Sequence, residues 1–171
     1  QRQQSPSGRA GLKFYQNLYG SHPYANPLAG YAASVERISP KAIKAFHSRY
    51  YTVGNAVLVL VGDIDRDQAE RIAREMSSAL LPGPAAEPLA MPIALKRGQR
   101  EHIEMPSQQT FVLLGELGLS RQDPDYFPLI VANEILGGGG FGSVLTRELR
   151  EKRGLTYSVT SQFVPMRMPG P

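Results

Sequence analysis

Three histidines, His22, His47 and His102, are the residues of this 171-residue chain best suited to bind a metal or move a proton near neutral pH. Their separations are 25 and 55 residues, so no two stand on adjacent turns of one helix, and neither HExxH nor its inverse HxxEH is present. A zinc site made from this chain alone would need distant histidines to converge. The chain has no cysteine, which removes disulfides, thiolate zinc ligands and cysteine nucleophiles together. His47 falls on an apolar helical face and reads as a core histidine. His102, between Glu101 and Glu104 in an expected strand, reads as exposed. His22 alone lies in a loop, where Pro23 beside it suggests a turn-forming role first.

The run Gly137–Gly140 invites comparison with phosphate-binding loops. A P-loop ends in Gly-Lys-Ser/Thr, so that the lysine reaches the phosphates and the hydroxyl holds magnesium. Here the run continues Phe141-Gly142-Ser143, with no lysine, and it follows an expected helix where a dinucleotide fingerprint would follow a strand. A tight helix–helix connection, with glycines that allow positive φ or close approach, is the simpler reading. Ser143 lacks a Gly-x-Ser-x-Gly elbow and reads as a helix N-cap. Arg150 and Tyr157 flank a turn at Gly154 and could offer a guanidinium and a phenol to one carbonyl oxygen. Spacing alone favours the plainer roles of a helix C-terminal charge and a core aromatic.

The elements that must carry these residues are marked by glycine and proline. The first ten residues are polar and read as frayed, and Gly11–Tyr19 as the end of a helix. Residues 20–30 read as an ordered loop. Ser39 and Pro40 open a helix with Ile43, Phe46, His47 and Tyr50 on one stripe and Lys41, Lys44 and Arg49 elsewhere. Ala56–Val61 is a continuous apolar run of strand length, the pattern of a strand covered on both faces. Asp65 caps a helix whose Ala69, Ile72, Ala73, Met76 and Leu80 form an apolar face. Residues 82–98 hold four prolines and no periodicity, as a stiff linker does. Strands are expected over 100–105, 110–117 and 155–163. Helices are expected from Asp125, with Pro128 in the first turn, and from about Ser143 to Lys152, with Gly154 at C′.

Composition adds exclusions. Hydrophobic residues make up 42% of the chain, which suits a globular protein. The longest apolar run is six residues, against the roughly 20 needed to span a bilayer. No basic stretch followed by an apolar one opens the sequence. The net charge of +4 arises in residues 1–83, with ten Lys and Arg against six Asp and Glu, while residues 84–171 balance nine against nine. Without a basic cluster, nucleic acid is not an expected partner.

Taken together, several motifs carry a family resemblance. His22-Pro23-Tyr24 with Gly30, Tyr50-Tyr51 and residues 55–63 (NAVLVLVGD) resemble the zinc peptidases of the pitrilysin, insulinase and mitochondrial processing peptidase family. So do residues 123–126 (DPDY), 135–143 (ILGGGGFGS) and 148–158 (ELREKRGLTYS), in the family's order and roughly its spacing over about residues 12–165. The resemblance implies an α+β fold, an antiparallel or mixed sheet packed with helices on one side, here in partial or permuted form. Residues 1–83 would be the C-terminal part of a first domain, 84–99 the Pro-rich linker and 100–171 the N-terminal part of a second. Zinc would belong to the intact protein only, on an inverted HxxEH helix outside this chain.

By the same resemblance, Arg150 and Tyr157 match the family's substrate-binding Arg and Tyr near the scissile carbonyl. Gly138, Gly139 and Gly140 match its glycine-rich, substrate-handling loop. Val144 departs from the basic residue expected after Ser143. The implied function is the substrate-binding segment of a zinc metalloendopeptidase acting on peptides or unfolded polypeptides. The alternative is a non-catalytic peptide-binding subunit that assists a zinc-bearing partner, as a homodimer or a heterodimer with a related chain. The resemblance favours a periplasmic over a cytoplasmic location. Because two half-domains together hold the parts of one, Ala56–Val61 is expected to pair with Thr110–Leu117 and Leu155–Phe163 in a shared sheet. The purified 171-residue chain is expected to bind no stoichiometric zinc and to cleave no peptide; EDTA-sensitive hydrolysis by it would overturn this reading.

Overall fold

Ser5 starts the first helix. Its side chain accepts the amide proton of Gly8 at 3.1 Å, and Pro6 occupies a position where no amide proton is required. The computed structural model describes residues 5–171, and in it this helix, α1, spans Pro6–Tyr19. The frayed start expected up to Ala10 is therefore corrected for Pro6–Ala10, which the Ser5–Pro6 cap draws into the helix; Gln1–Gln4 lie outside the described residues.

The described residues fall into two compact units. Those up to Leu28, together with Ala90–Pro171, make one, and Ala29–Leu89 the other. The core of the first is aromatic. Leu18, Tyr19 and Ala25 are buried, with Phe14, Tyr15, Tyr24 and Leu117 packed on them. Tyr19 stacks on Tyr15 at 6.0 Å and meets Tyr24 edge-on at 5.5 Å, the offset and T-shaped arrangements that ring quadrupoles favour. The Tyr19 hydroxyl donates to the Pro169 carbonyl at 3.0 Å, tying α1 to the far end of the sequence. Asn17 and Lys13 both reach Glu101, at 2.9 and 3.1 Å, and these bonds hold its carboxyl below the usual range. His22 is a structural cap: its Nε2–H donates to the Ala90 carbonyl at 2.9 Å while Nδ1 accepts from the Tyr24 amide at 3.1 Å.

In the second unit, α2 (Ala32–Val35) precedes α3 (Pro40–Tyr50), which Ser39 caps by accepting from the Ala42 amide at 3.2 Å. Helix α4 (Arg66–Ser78) begins with a reciprocal capping box between Asp65 and Gln68. Glu70 pairs with both Arg66 and Arg74 along its exposed face. Thr52, buried, donates its hydroxyl to the Pro84 carbonyl at 3.0 Å, and the amides of Val53 and Gly54 donate to the carbonyls of Leu81 and Gly83.

The α+β fold expected from the resemblance does not form. Among the described residues there is no strand and no sheet, only the isolated parallel bridge between Thr52 and Leu81. Residues 100–105, 110–117 and 155–163 run without a ladder. Ala56–Val61, expected to join Thr110–Leu117 and Leu155–Phe163 in a shared sheet, forms no strand, and its Val57, Val59 and Val61 are 91%, 75% and 93% exposed. A β-prone sequence becomes a strand only when a neighbour about 4.8 Å away takes up its amides and carbonyls. Strand propensity reflects fit to such a half-buried pleated surface rather than an intrinsic backbone choice, and no such surface is built here. The core reading of His47 is corrected for a related reason. The α3 stripe has no covering layer in its own unit, Ile43 and Phe46 are exposed, and His47 stacks outside on the Tyr51 ring at 4.6 Å.

The buried Tyr19 hydroxyl yields a pH dependence. Burial, with Tyr15 and Tyr24 adding to it, pushes its pKa from an ordinary 10.0 up to about 12. The neutral phenol is thus the form that favours folding, so its contribution is fully present below pH 10 and is lost as pH climbs toward about 12. Chemical denaturation between pH 9 and 12 is expected to show an alkaline decline in stability that Tyr19→Phe flattens; an equal decline in both proteins would refute the assignment.

Candidate functional site

The candidate site is built on one helix–turn–helix passage. Helix α5 (Tyr126–Asn133) starts where expected, with Pro128 in its first turn, where no intrahelical bond is lost. The Asp125 side chain makes no capping bond. Entry is held instead by Asp123, whose carboxylate accepts from the Asp125 amide at 3.0 Å and whose carbonyl accepts from Tyr126. At its far end α5 widens into a π-type turn, Glu134–Gly138, closed by the Gly139 amide donating to the Glu134 carbonyl at 2.8 Å. Such turns are rare and recur at functional sites.

Within that turn Gly137 is buried against the backbone of Ser161; a Cβ on it would lie 2.5 Å from the Ser161 amide nitrogen. Beside this contact opens a groove of about 550 Å³ lined by Arg121, Asn133, Gly137, Gly138, Ser161 and Phe163. The three glycines expected to handle substrate are all exposed, but only Gly138 borders the groove. Gly139 closes the π-type turn. Gly140, at φ +62°, reverses the chain in a conformation that side-chain-bearing residues avoid.

Ser143 then caps the next helix, as its sequence position suggests. It is 1% exposed, accepts from the Thr146 amide at 3.3 Å and donates to the Thr146 hydroxyl at 3.0 Å. Thr146 in turn donates to the Gly140 carbonyl at 3.0 Å, which pins the glycine turn to the helix start. The helix Thr146–Glu151 is also π-type and ends at the left-handed Gly154, whose amide donates to the Arg150 carbonyl at 3.0 Å. The Leu155 amide donates to the Leu149 carbonyl at 2.9 Å, so the segment bearing Tyr157 leaves in a fixed direction.

These restraints bring Arg150 and Tyr157 together: the guanidinium carbon lies 5.1 Å from the centre of the Tyr157 ring. Arg150 does stand in the last turn of its helix, as a C-terminal charge would, whereas Tyr157 is 85% exposed and is not a core aromatic. Arg150 also lies 5.0 Å from the centre of the Phe141 ring, a neighbour that sequence reasoning missed. The available signal was an aromatic residue set between glycines just ahead of an arginine-bearing helix. Among the described residues no carboxylate lies within ion-pair distance of Arg150. The nearby acid, Glu148, is held by Lys152 at 2.7 Å and Arg147 at 3.5 Å, and the Lys152 bond keeps its carboxyl below the usual range. Five N–H donors on Arg150 are thus left to a ligand oxygen.

Among the described residues the histidines are not arranged around a common point. His22 has both ring nitrogens engaged, and His102 pairs with Glu104 at 2.9 Å. Among the described residues no three His, Asp or Glu side chains gather to hold an ion, and no helix is long and apolar enough to cross a membrane.

The family described as the peptidase M16 inactive domain matches residues 37–170. The chain belongs to the M16 peptidase family. This M16 chain is similar to a Streptomyces coelicolor protein named an uncharacterized zinc protease, with 35% identity over 155 residues covering 86% of this chain and 33% of that protein. A Mycobacterium leprae protein of the same description is 33% identical over 168 residues, covering 94% of this chain and 36% of its own length. The crystal structure of a peptidase M16 inactive domain from Pseudomonas fluorescens matches at 44% identity and a TM-score of 0.83, over 99% of this chain and 41% of that one. The M16 chain therefore spans about a third of the length of these curated relatives.

Two glycines of the passage should respond oppositely to an added methyl group. Gly137→Ala would press on Ser161 and on Leu145 at 2.9 Å, and is expected to lower stability by about 1–3 kcal/mol. Gly142→Ala meets nothing within 4 Å at an ordinary φ, and is expected to be neutral or to stabilise by about 0.4–1 kcal/mol. Denaturant titration of the two variants checks the contrast, and equal effects would refute the close packing at Gly137.

Proposed function

We propose that this chain is the substrate-contacting portion of a zinc-dependent endopeptidase, with Arg150 and Tyr157 engaging a peptide near the bond to be cut. The observation that carries the reading is the Arg150 guanidinium, held against Tyr157 with no acidic partner among the described residues, in a chain of the M16 family. A guanidinium with free N–H groups donates in its own plane to a carbonyl oxygen and stabilises negative charge that develops there. The Tyr157 hydroxyl can supply a second donor. Zinc enters through the names of the relatives, and by this reading residues outside this chain hold it. Gly138, Gly139 and Gly140 shape the exposed turn over which an extended peptide would pass.

The description of the matched family as an inactive domain favours a second reading, a peptide-binding subunit that assists a zinc-bearing partner. Both readings require Arg150 to matter for peptide handling. They differ in whether the full-length chain carries its own metal.

Zinc content of the full-length protein, measured with chelator-sensitive hydrolysis of a quenched peptide library, separates them. The peptidase reading expects about one zinc per chain, hydrolysis lost on chelation, and an Arg150→Ala loss of about 10²–10³ in kcat/KM, the scale of removing one oxyanion donor. No zinc and no cleavage would favour the assisting subunit. Unchanged hydrolysis in Arg150→Ala would remove the pair from the site.

A further inference from the structure

We infer that Phe141 is a positioning residue for Arg150: with Tyr157 it forms a two-ring clamp that fixes the guanidinium plane and aims its N–H edge at the peptide. This rests on the reading of Arg150 as a peptide-binding residue. The guanidinium carbon lies 5.0 Å from the Phe141 ring centre and 5.1 Å from that of Tyr157, within the range at which a cation is attracted to a ring face. Arginine otherwise samples many rotamers, and an arginine free of carboxylates has nothing else in this site to hold it. Rings compete with none of its N–H donors, whereas a carboxylate would occupy them and neutralise the charge.

The two rings are themselves anchored. Phe141 directly follows Gly140, whose carbonyl is gripped by the Thr146 hydroxyl at 3.0 Å and by the Ser143 amide at 3.2 Å. Tyr157 follows the turn at Gly154, fixed by the Gly154 and Leu155 amides bonding back to Arg150 and Leu149. Phe141 has no packing role to explain it, for it is 76% exposed. The glycine run then contributes to peptide binding through the ring it carries to Arg150.

The test is the affinity of the full-length protein for a fluorescein-labelled, C-terminally amidated, unstructured decapeptide, read by anisotropy. Phe141→Leu is expected to weaken binding about tenfold, and Phe141→Trp, which restores a ring face, to recover it. Arg150→Ala should weaken binding at least as much, and Phe141→Leu combined with Arg150→Ala no further than Arg150→Ala alone. Phe141 is exposed, so its replacement leaves the buried packing untouched, and thermal melting of each variant checks that it folds. If Arg150→Ala weakens binding and Phe141→Leu does not, the clamp is refuted while the reading of Arg150 stands. If the losses add in the double variant, Phe141 touches the peptide itself and the positioning role is refuted. If neither substitution matters, or the parent protein binds no peptide, both the clamp and the reading beneath it fall.

Discussion

The carbonyl oxygen of Gly140 accepts two hydrogen bonds, one from the Ser143 amide and one from the Thr146 hydroxyl, beside a serine that is almost wholly shielded from water. A buried hydroxyl pair of this kind must be fully bonded or it costs stability, and here each hydroxyl has a partner. The direction of the glycine turn, the start of the following helix and the place of the Phe141 ring all follow from that one arrangement. Arg150 comes one helical turn later, already facing the ring.

Local signals in the sequence were legible where the physics is local. Ser39, Asp65 and Ser143 each cap a helix by accepting the amide three residues on, Pro128 stands in a first turn and Gly154 at a left-handed end, because each of these signals depends only on backbone within three or four residues. Non-local pairing was not legible. Ala56–Val61 has the pattern of a buried strand, but whether it is one depends on a partner elsewhere, and among the described residues it forms no ladder. His47 failed in the same way, since a helical stripe says which residues share a face and nothing about what covers it. Arg150 and Tyr157 came from the resemblance rather than from spacing; Phe141 came from neither, because a clamp between a loop, a helix and a later turn has no fixed sequence interval.

The electrostatics of the passage are economical. Glu148 sits two residues from Arg150, yet its carboxylate is taken by Lys152 and Arg147 on the same helix. Those pairs are exposed and contribute little to stability. They leave the Glu148 carboxylate engaged with its own helix neighbours, while the Arg150 guanidinium carbon lies about as far from the Phe141 ring centre as from that of Tyr157. A guanidinium without a carboxylate partner suits recognition of an oxygen by charge and geometry together.

The two π-type turns carry a consequence of their own. Each bond in them spans one residue more than in an α-helix, and an α-helix turns its side chains by about 100° per residue. The heading of Arg150 is therefore set by a count along the chain, much as the teeth of a gear fix where a hand comes to rest. Removing one residue between Thr146 and Arg150 would let the helix tighten to ordinary pitch and would swing the guanidinium off both rings, although every group that forms the clamp would still be present.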